Sequence, residues 1–214
     1  MSNLHLNVLS DAQRELWLKL KSISKMGFTL YGGTALALQL NHRQSLDFDF
    51  FSSSPLDSHR ILVNLPEPNT IEIERDEERT FQLRTRSGVH ISFFGNLSIR
   101  RVGMPIISDD NHISVASLDD LMATILKVLF NRVECKDYRD IAEMIRHGVS
   151  LSHGLSCAKA IYGNTFQPMM ALKAMTYFEG GDLADLSEID KETLLDAAKS
   201  IESIGEIDVV LFNL

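Results

Sequence analysis

The sequence predicts an α+β (α/β) chain: a mixed sheet with flanking helices over residues 1–107, then a helical domain over residues 108–214. Three observations predict it. A short apolar run at residues 28–31 leads through Gly32-Gly33 into helix-like sequence, which makes a βα unit. Alternating segments between Thr70 and Phe94 are separated by turn residues, which makes a β-meander. Beyond Ser117 the apolar residues recur at helical spacing. A meander beside a βα unit gives a mixed sheet with helices packed on it.

The elements follow in order. Ser10 and Gln13 form a capping box, and Leu16, Leu20 and Ile23 then recur at helical spacing beside Trp17, up to Gly27. Residues 28–31 form a strand, Gly32-Gly33 a turn, residues 34–40 a second helix and residues 45–51 a strand. Ser54-Pro55 supplies a cap and a first-turn proline for a helix reaching Leu65. In the meander, Ile71 and Ile73 share one face of residues 70–74, and Asp76-Glu77-Glu78 is a charged turn. Phe81, Leu83 and Thr85 alternate, and Ser87-Gly88 signals a hairpin before a strand at 89–94. Ser117 and Asp120 form a second capping box, opening a helix to about Asn131. Residues 137–146 form the next helix, ended by His147-Gly148, and two or three more follow with a break at 179–182.

Composition excludes several classes. The chain is 44% hydrophobic and 23% charged, as in soluble globular proteins. It has no run of about 18 apolar residues, so no membrane span is expected. The N-terminus lacks a basic stretch followed by an apolar one, so no signal peptide is expected. The two cysteines, Cys135 and Cys157, lack CxxC spacing, and no Cys/His cluster has the spacing of a zinc site. A cytoplasmic protein with free thiols is the resulting expectation. The net charge of −8 resides in residues 176–214, where ten acids face two lysines. Residues 81–108 hold Arg84, Arg86, Arg100 and Arg101 without an acid, a strip suited to an anionic partner or to a solvated sheet face.

The chemistry concentrates at Asp47 and Asp49. Side chains alternate along a strand, so both carboxylates share one face while Leu46, Phe48 and Phe50 take the other. Their backbone positions are about 7 Å apart, and two like charges so close disfavour each other's ionisation. A divalent cation removes the conflict; Mg²⁺ takes one or two protein carboxylates and leaves room for phosphates. Gly32-Gly33-Thr34 supplies the complement. Glycines admit close backbone approach, the helix N-terminus offers free N–H groups, and Thr34 adds a hydroxyl.

Gly32-Gly33-Thr34, followed twelve residues later by Asp47-Phe48-Asp49, resembles the signature of the polymerase-beta-like nucleotidyltransferase superfamily. The wider stretch YGGTALALQLNHRQSLDFDFF resembles the AbiEii/AbiGii toxin-type nucleotidyltransferase family. SLDDLMATILKVLFNRVECKDYRDI and KAMTYFEGGDLAD are similar to that family's helical part. The resemblance implies a nucleotidyltransferase fold, residues 1–107, with the helical domain, 108–214, completing the active-site cleft. It implies that Asp47 and Asp49 hold Mg²⁺ (or Mn²⁺), and that Gly32, Gly33 and Thr34 hold the triphosphate of an NTP. Lys127, Asp137 and Asp140 map onto the family's remaining active-site positions. Lys127 would neutralise phosphate charge, and Asp137 would orient that lysine or accept the proton of the attacking hydroxyl. Read from the residues alone, Asp137 caps a helix and Lys127 snorkels from an apolar one. Arg43 and Ser45 fall in the family's run before the acids, with Arg43 suited to phosphate or to a core carboxylate.

There is one departure. The superfamily's third carboxylate would fall at Ser92, with His90 on the same face. The implied function is transfer of an NMP to RNA, such as a tRNA 3′ end, or to a protein hydroxyl, by a toxin restrained by an antitoxin or serving phage defence. Two alternatives stand beside it: a nucleotide- or RNA-binding module with a decayed site, and nucleotidyl transfer to a small-molecule antibiotic.

Overall fold

The computed structural model describes residues 4–97 and 100–207. These fall into two compact units, residues 4–97 with 104–116, and residues 100–103 with 117–207. The first begins with helices α1 (Asp11–Lys19) and α2 (Lys21–Ser24). It continues through β1 (Thr29–Tyr31), α3 (Gly32–Leu40), β2 (Asp47–Phe51) and α4 (Ser58–Asn64). Strands β3 (Glu72–Glu77), β4 (Thr80–Arg84), β5 (His90–Phe94), β6 (Ile106–Ile107) and β7 (Ser114–Val115) complete it. The strands form one mixed sheet in the order β3-β4-β5-β2-β1-β7-β6. The pairs β2–β5 and β1–β7 are parallel and the others antiparallel.

Register explains the core. Phe81 lies beside Phe93, Phe93 beside Phe50, and Phe50 beside Leu30, a row crossing four strands. All four side chains are fully buried. The Phe50 and Phe93 rings stack at 5.3 Å, and Trp17 of α1 stacks on Phe48 at 6.0 Å. Burying each such ring stabilises the unit by about 1.5–3 kcal/mol. The indole N–H of Trp17 donates to Asp110 (2.8 Å) and Asn111 donates to the Trp17 carbonyl (2.6 Å), which fastens the loop before β7 to α1.

Several local expectations change. The first helix breaks at Leu20, whose ψ of 9° leaves the helical region, so α1 and α2 are separate. The diglycine is the first turn of α3 itself, not a turn before it. Leu46 precedes β2 and is exposed, so only Phe48 and Phe50 join the core. Helix α4 starts at Ser58 because Asp57, not Ser54, accepts the capping bond from Arg60 N. Residues 68–70 form a 3₁₀ turn, and β3 runs on through Glu77 as an exposed edge, so the turn is at residues 78–79. Strands β6 and β7 are two residues each, too short for any periodicity to mark them.

The second unit holds α5 (Leu118–Val128), α6 (Cys135–Arg146), α7 (Leu151–Tyr162), α8 (Pro168–Met175) and α9 (Glu188–Lys199). Ser117, Ser150 and Ser187 cap α5, α7 and α9 by accepting from the third residue's N–H. Helix α5 ends at Val128, before the expected Asn131. Helix α6 starts at Cys135, whose N–H donates to Asp182 Oδ1 at 2.6 Å. Asp137 therefore lies inside the first turn and does not cap it.

Candidate active site

In the sheet unit the glycines and the acids meet. A Cβ added to Gly32 would stand 2.5 Å from Asp49 Oδ2, and Gly32 has a φ of +72°. Only glycine holds this conformation cheaply and lets the helix start press against the carboxylate. A Cβ on Gly33 would stand 2.5 Å from Arg43 Nη2 and 2.9 Å from Ser45 Oγ. Five of the residues picked out by sequence thus gather at the start of α3. The capping glutamine of α1 supports them: Gln13 Nε2 donates to the Ser45 carbonyl at 2.7 Å, while its Oε1 accepts from Ser10 N. Thr34 takes a different part from the one expected. It is buried, and its hydroxyl donates to the main-chain carbonyl of Asp47 (2.5 Å), which ties α3 to β2.

Register defines the surface around the acids. Asp47 pairs with His90, and Asp49 with Ser92; these in turn pair with Arg84 and Gln82 of β4. Paired residues share a face, so all six look the same way. Asp47 is exposed and Asp49 half-buried. The serine at the third-acid position is nearly buried, and its hydroxyl accepts from Gln82 Nε2 at 3.2 Å. His90 is held by Glu74 through Nδ1 at 3.1 Å, and Arg84 binds the same carboxylate at 2.5 and 2.8 Å. Burial opposes ionisation of Glu74, but the bonds from Arg84 and His90 outweigh it and hold its carboxyl below the usual range. Arg84 therefore spends its charge on Glu74. Arg100 and Arg101 belong to the other unit, so the linear arginine strip is not one feature of the sheet.

Glu74 is the participant that sequence reading missed. It is the unpaired residue at the register shift between Ile73 and Arg75, and nothing in the local pattern signals that bulge.

In the helical unit, Lys127 Nζ donates to the Thr165 carbonyl (2.5 Å) and stands 5.5 and 5.7 Å from the ring centres of Phe130 and Tyr162. A cavity of about 630 Å³ opens beside it, with Phe130, Thr165, Met170, Lys173 and Tyr177 in its wall. Asp137 is buried and receives two bonds from Arg132, each 2.9 Å. Arg132, not Lys127, is the cation that Asp137 orients. Asp140 is buried on the same helix.

The donor set of β2 fits a divalent cation. Asp47 and Asp49 bring hard carboxylate oxygens to one face, and the missing Cβ of Gly32 leaves the Asp49 oxygen in reach of the helix start.

Comparison with known proteins places the chain. The family model for the nucleotidyl transferase AbiEii toxin of type IV toxin–antitoxin systems matches residues 19–167. An uncharacterized protein of Aquifex aeolicus (strain VF5), aq_aa25, is 29% identical over 175 residues, 80% of this chain and 84% of that one. The fold is similar to that of MenT4, the nucleotidyltransferase toxin Rv2826c of Mycobacterium tuberculosis H37Rv. There the TM-score is 0.52 at 14% identity, over 87% of this chain and 82% of that chain. It is also similar to an antigenic nucleotidyltransferase-like protein from Paracoccidioides brasiliensis, with a TM-score of 0.51 at 15% identity over 94% and 96% of the two chains. No helix of the described residues is long and apolar enough to cross a membrane. The chain belongs to the AbiEii family of nucleotidyltransferase toxins, and it is a nucleotidyltransferase.

Proposed function

We propose that this enzyme transfers an NMP from an NTP to a hydroxyl of RNA, with a tRNA 3′ end as the leading acceptor and a protein hydroxyl as the alternative. The observation that carries the reading is the contact of Gly32 with Asp49, which brings a helix N-terminus and an acid pair to one face. The acceptor oxygen attacks the α-phosphorus as the bond to the β-phosphate oxygen breaks. Pyrophosphate leaves and the hydroxyl proton is released. Gly32 and Gly33 present main-chain N–H groups to the triphosphate, and Arg43 and Ser45, packed on Gly33, add donors. Asp47 and Asp49 would hold Mg²⁺ (or Mn²⁺). That ion supplies charge stabilisation on the phosphate oxygens. Lys127, Asp137 and Asp140 enter through the family resemblance. The physiological setting we infer is a cytoplasmic toxin paired with a cognate antitoxin, or a phage-defence factor.

The test is incubation with each α-labelled NTP, Mg²⁺ and total tRNA. Label should move to tRNA with the wild type and not with Asp47→Ala. NTP binding by calorimetry without transfer to tRNA, to protein or to a small hydroxylated antibiotic would instead support the decayed module. The serine beside Asp49 and its bond to Gln82 are the observations in that reading's favour.

A further inference from the structure

We propose that Asp119, His153 and Cys157 form a zinc site that ties α5 to α7, separate in role from the carboxylates of β2. The fold joins what linear spacing keeps apart. His153 and Cys157 stand four residues apart on α7, hence on one face. Asp119 comes from the first turn of α5, 34 residues earlier than His153. One ligand atom from each lies within 4.8 Å of the other two. Cysteine and histidine spacing along the chain argues against zinc, and that spacing carries no trace of a cluster assembled from two helices.

Gly154 gives the cluster its closeness. A Cβ there would stand 2.3 Å from Met122 Cγ, so only a residue without a side chain lets α7 lie this near α5. The donor set is one carboxylate oxygen, one imidazole nitrogen and one sulfur, the mixture that zinc accepts and that Mg²⁺ or Ca²⁺ does not. Tetrahedral zinc with bonds of about 2.0–2.3 Å needs ligand atoms about 3.3–3.6 Å apart. His153 Nε2 and Asp119 Oδ2 already stand at 3.6 Å. The remaining distances close by rotation of two half-exposed side chains, with 47% and 38% exposure. Cys157 itself is fully buried, which fixes the sulfur. The open side leaves the fourth position to water.

Burial, and after it the negative charges of Asp119 and Asp120, push the thiol of Cys157 up to about 12. Asp120 is satisfied by Val102 N, Gly103 N and the Ser117 hydroxyl, so it lends charge without serving as a ligand. Such a thiol is inert as a nucleophile. Ligation exchanges the S–H bond for an S–Zn bond, and the proton passes to solvent.

The test uses the full chain, stripped with a chelator and titrated with Co²⁺ as a spectroscopic stand-in, then with Zn²⁺ by equilibrium dialysis. One ion per chain should bind with a near-ultraviolet thiolate-to-cobalt band. Zinc should also raise the melting temperature. Cys157→Ser should abolish the band, whereas Cys135→Ser and the Asp47→Asn/Asp49→Asn double variant should keep it. His153→Gln and Asp119→Asn, both at half-exposed side chains, should weaken zinc binding by more than about tenfold. Absence of a thiolate band at saturating Co²⁺, or a band lost in Cys135→Ser and kept in Cys157→Ser, overturns the site. So does zinc affinity unchanged in His153→Gln.

Discussion

Asp47 of β2 and the acids of the helical unit are treated in opposite ways. Asp137 is buried under two bonds from Arg132, and Asp190 is bound by Arg146 and Ser187. Asp120 takes three donors, yet burial still raises its pKa above the ordinary carboxyl value. Each of these carboxylates holds a helix in place. Asp47, by contrast, is exposed on a strand, two residues from a second acid that faces the same way. A carboxylate saturated by donors is fixed but has little left to offer a ligand. Two acids on one sheet face, one of them exposed, gain by meeting a cation. The difference teaches that one residue type, aspartate, holds helices where donors surround it and is open to a ligand where it stands exposed on a strand.

That contrast breaks or sharpens under mutation. The largest effect belongs to Asp47→Asn, which should lower nucleotidyl transfer by about 10²–10³-fold. Its melting temperature should stay near that of the wild type, because the side chain is exposed. An active Asp47→Asn enzyme, measured by label transfer, breaks the comparison. Asp137→Ala should do the reverse and destabilise the fold by about 1–3 kcal/mol in urea denaturation. This falls below the range for a fully buried pair, since Arg132 is 44% exposed. Full stability with lost transfer would move Asp137 from the structural group to the chemical one.

Gly32→Ala tests the join between helix and acid. The left-handed φ costs about 1–2 kcal/mol for any other residue. The new methyl must also displace Asp49, so transfer should fall even at temperatures where the variant is fully folded. The smallest effect is expected of Ser92→Ala. It removes one hydrogen bond, worth about 0.5–1.5 kcal/mol in thermal unfolding, and should leave transfer unchanged. A loss of transfer would give Ser92 a part in the chemistry at the position of the absent third acid.

Much of the site was legible because it is local. Gly32, Gly33, Asp47 and Asp49 lie within 18 residues, and period-two alternation alone puts the acids on one face and Phe48 and Phe50 on the other. The capping box at Ser10 and the serine cap at Ser117 are legible for the same reason, since a cap needs only its own first turn; the box expected at Ser117 lacks its return bond, because the Asp120 carboxylate takes Val102 N, Gly103 N and the Ser117 hydroxyl. The bond from the Thr34 hydroxyl to the Asp47 carbonyl is not legible locally, because its acceptor comes from the next strand. The pairing of Asp137 with Arg132 was missed although only five residues separate them. Resemblance drew attention to Lys127, while the helix start at Cys135 brings Arg132 within reach.

By itself the sequence determined the alternation of β2, the helical second half, the diglycine at a helix start and the family. Each of these is a short-range pattern of polarity, volume or backbone freedom. Tertiary structure alone decided which strands lie side by side. It gave Glu74 to His90 and laid Asp119 beside His153 and Cys157. Such neighbours depend on register and helix crossing, which arise from packing summed over the core and leave no mark in any local stretch of chain.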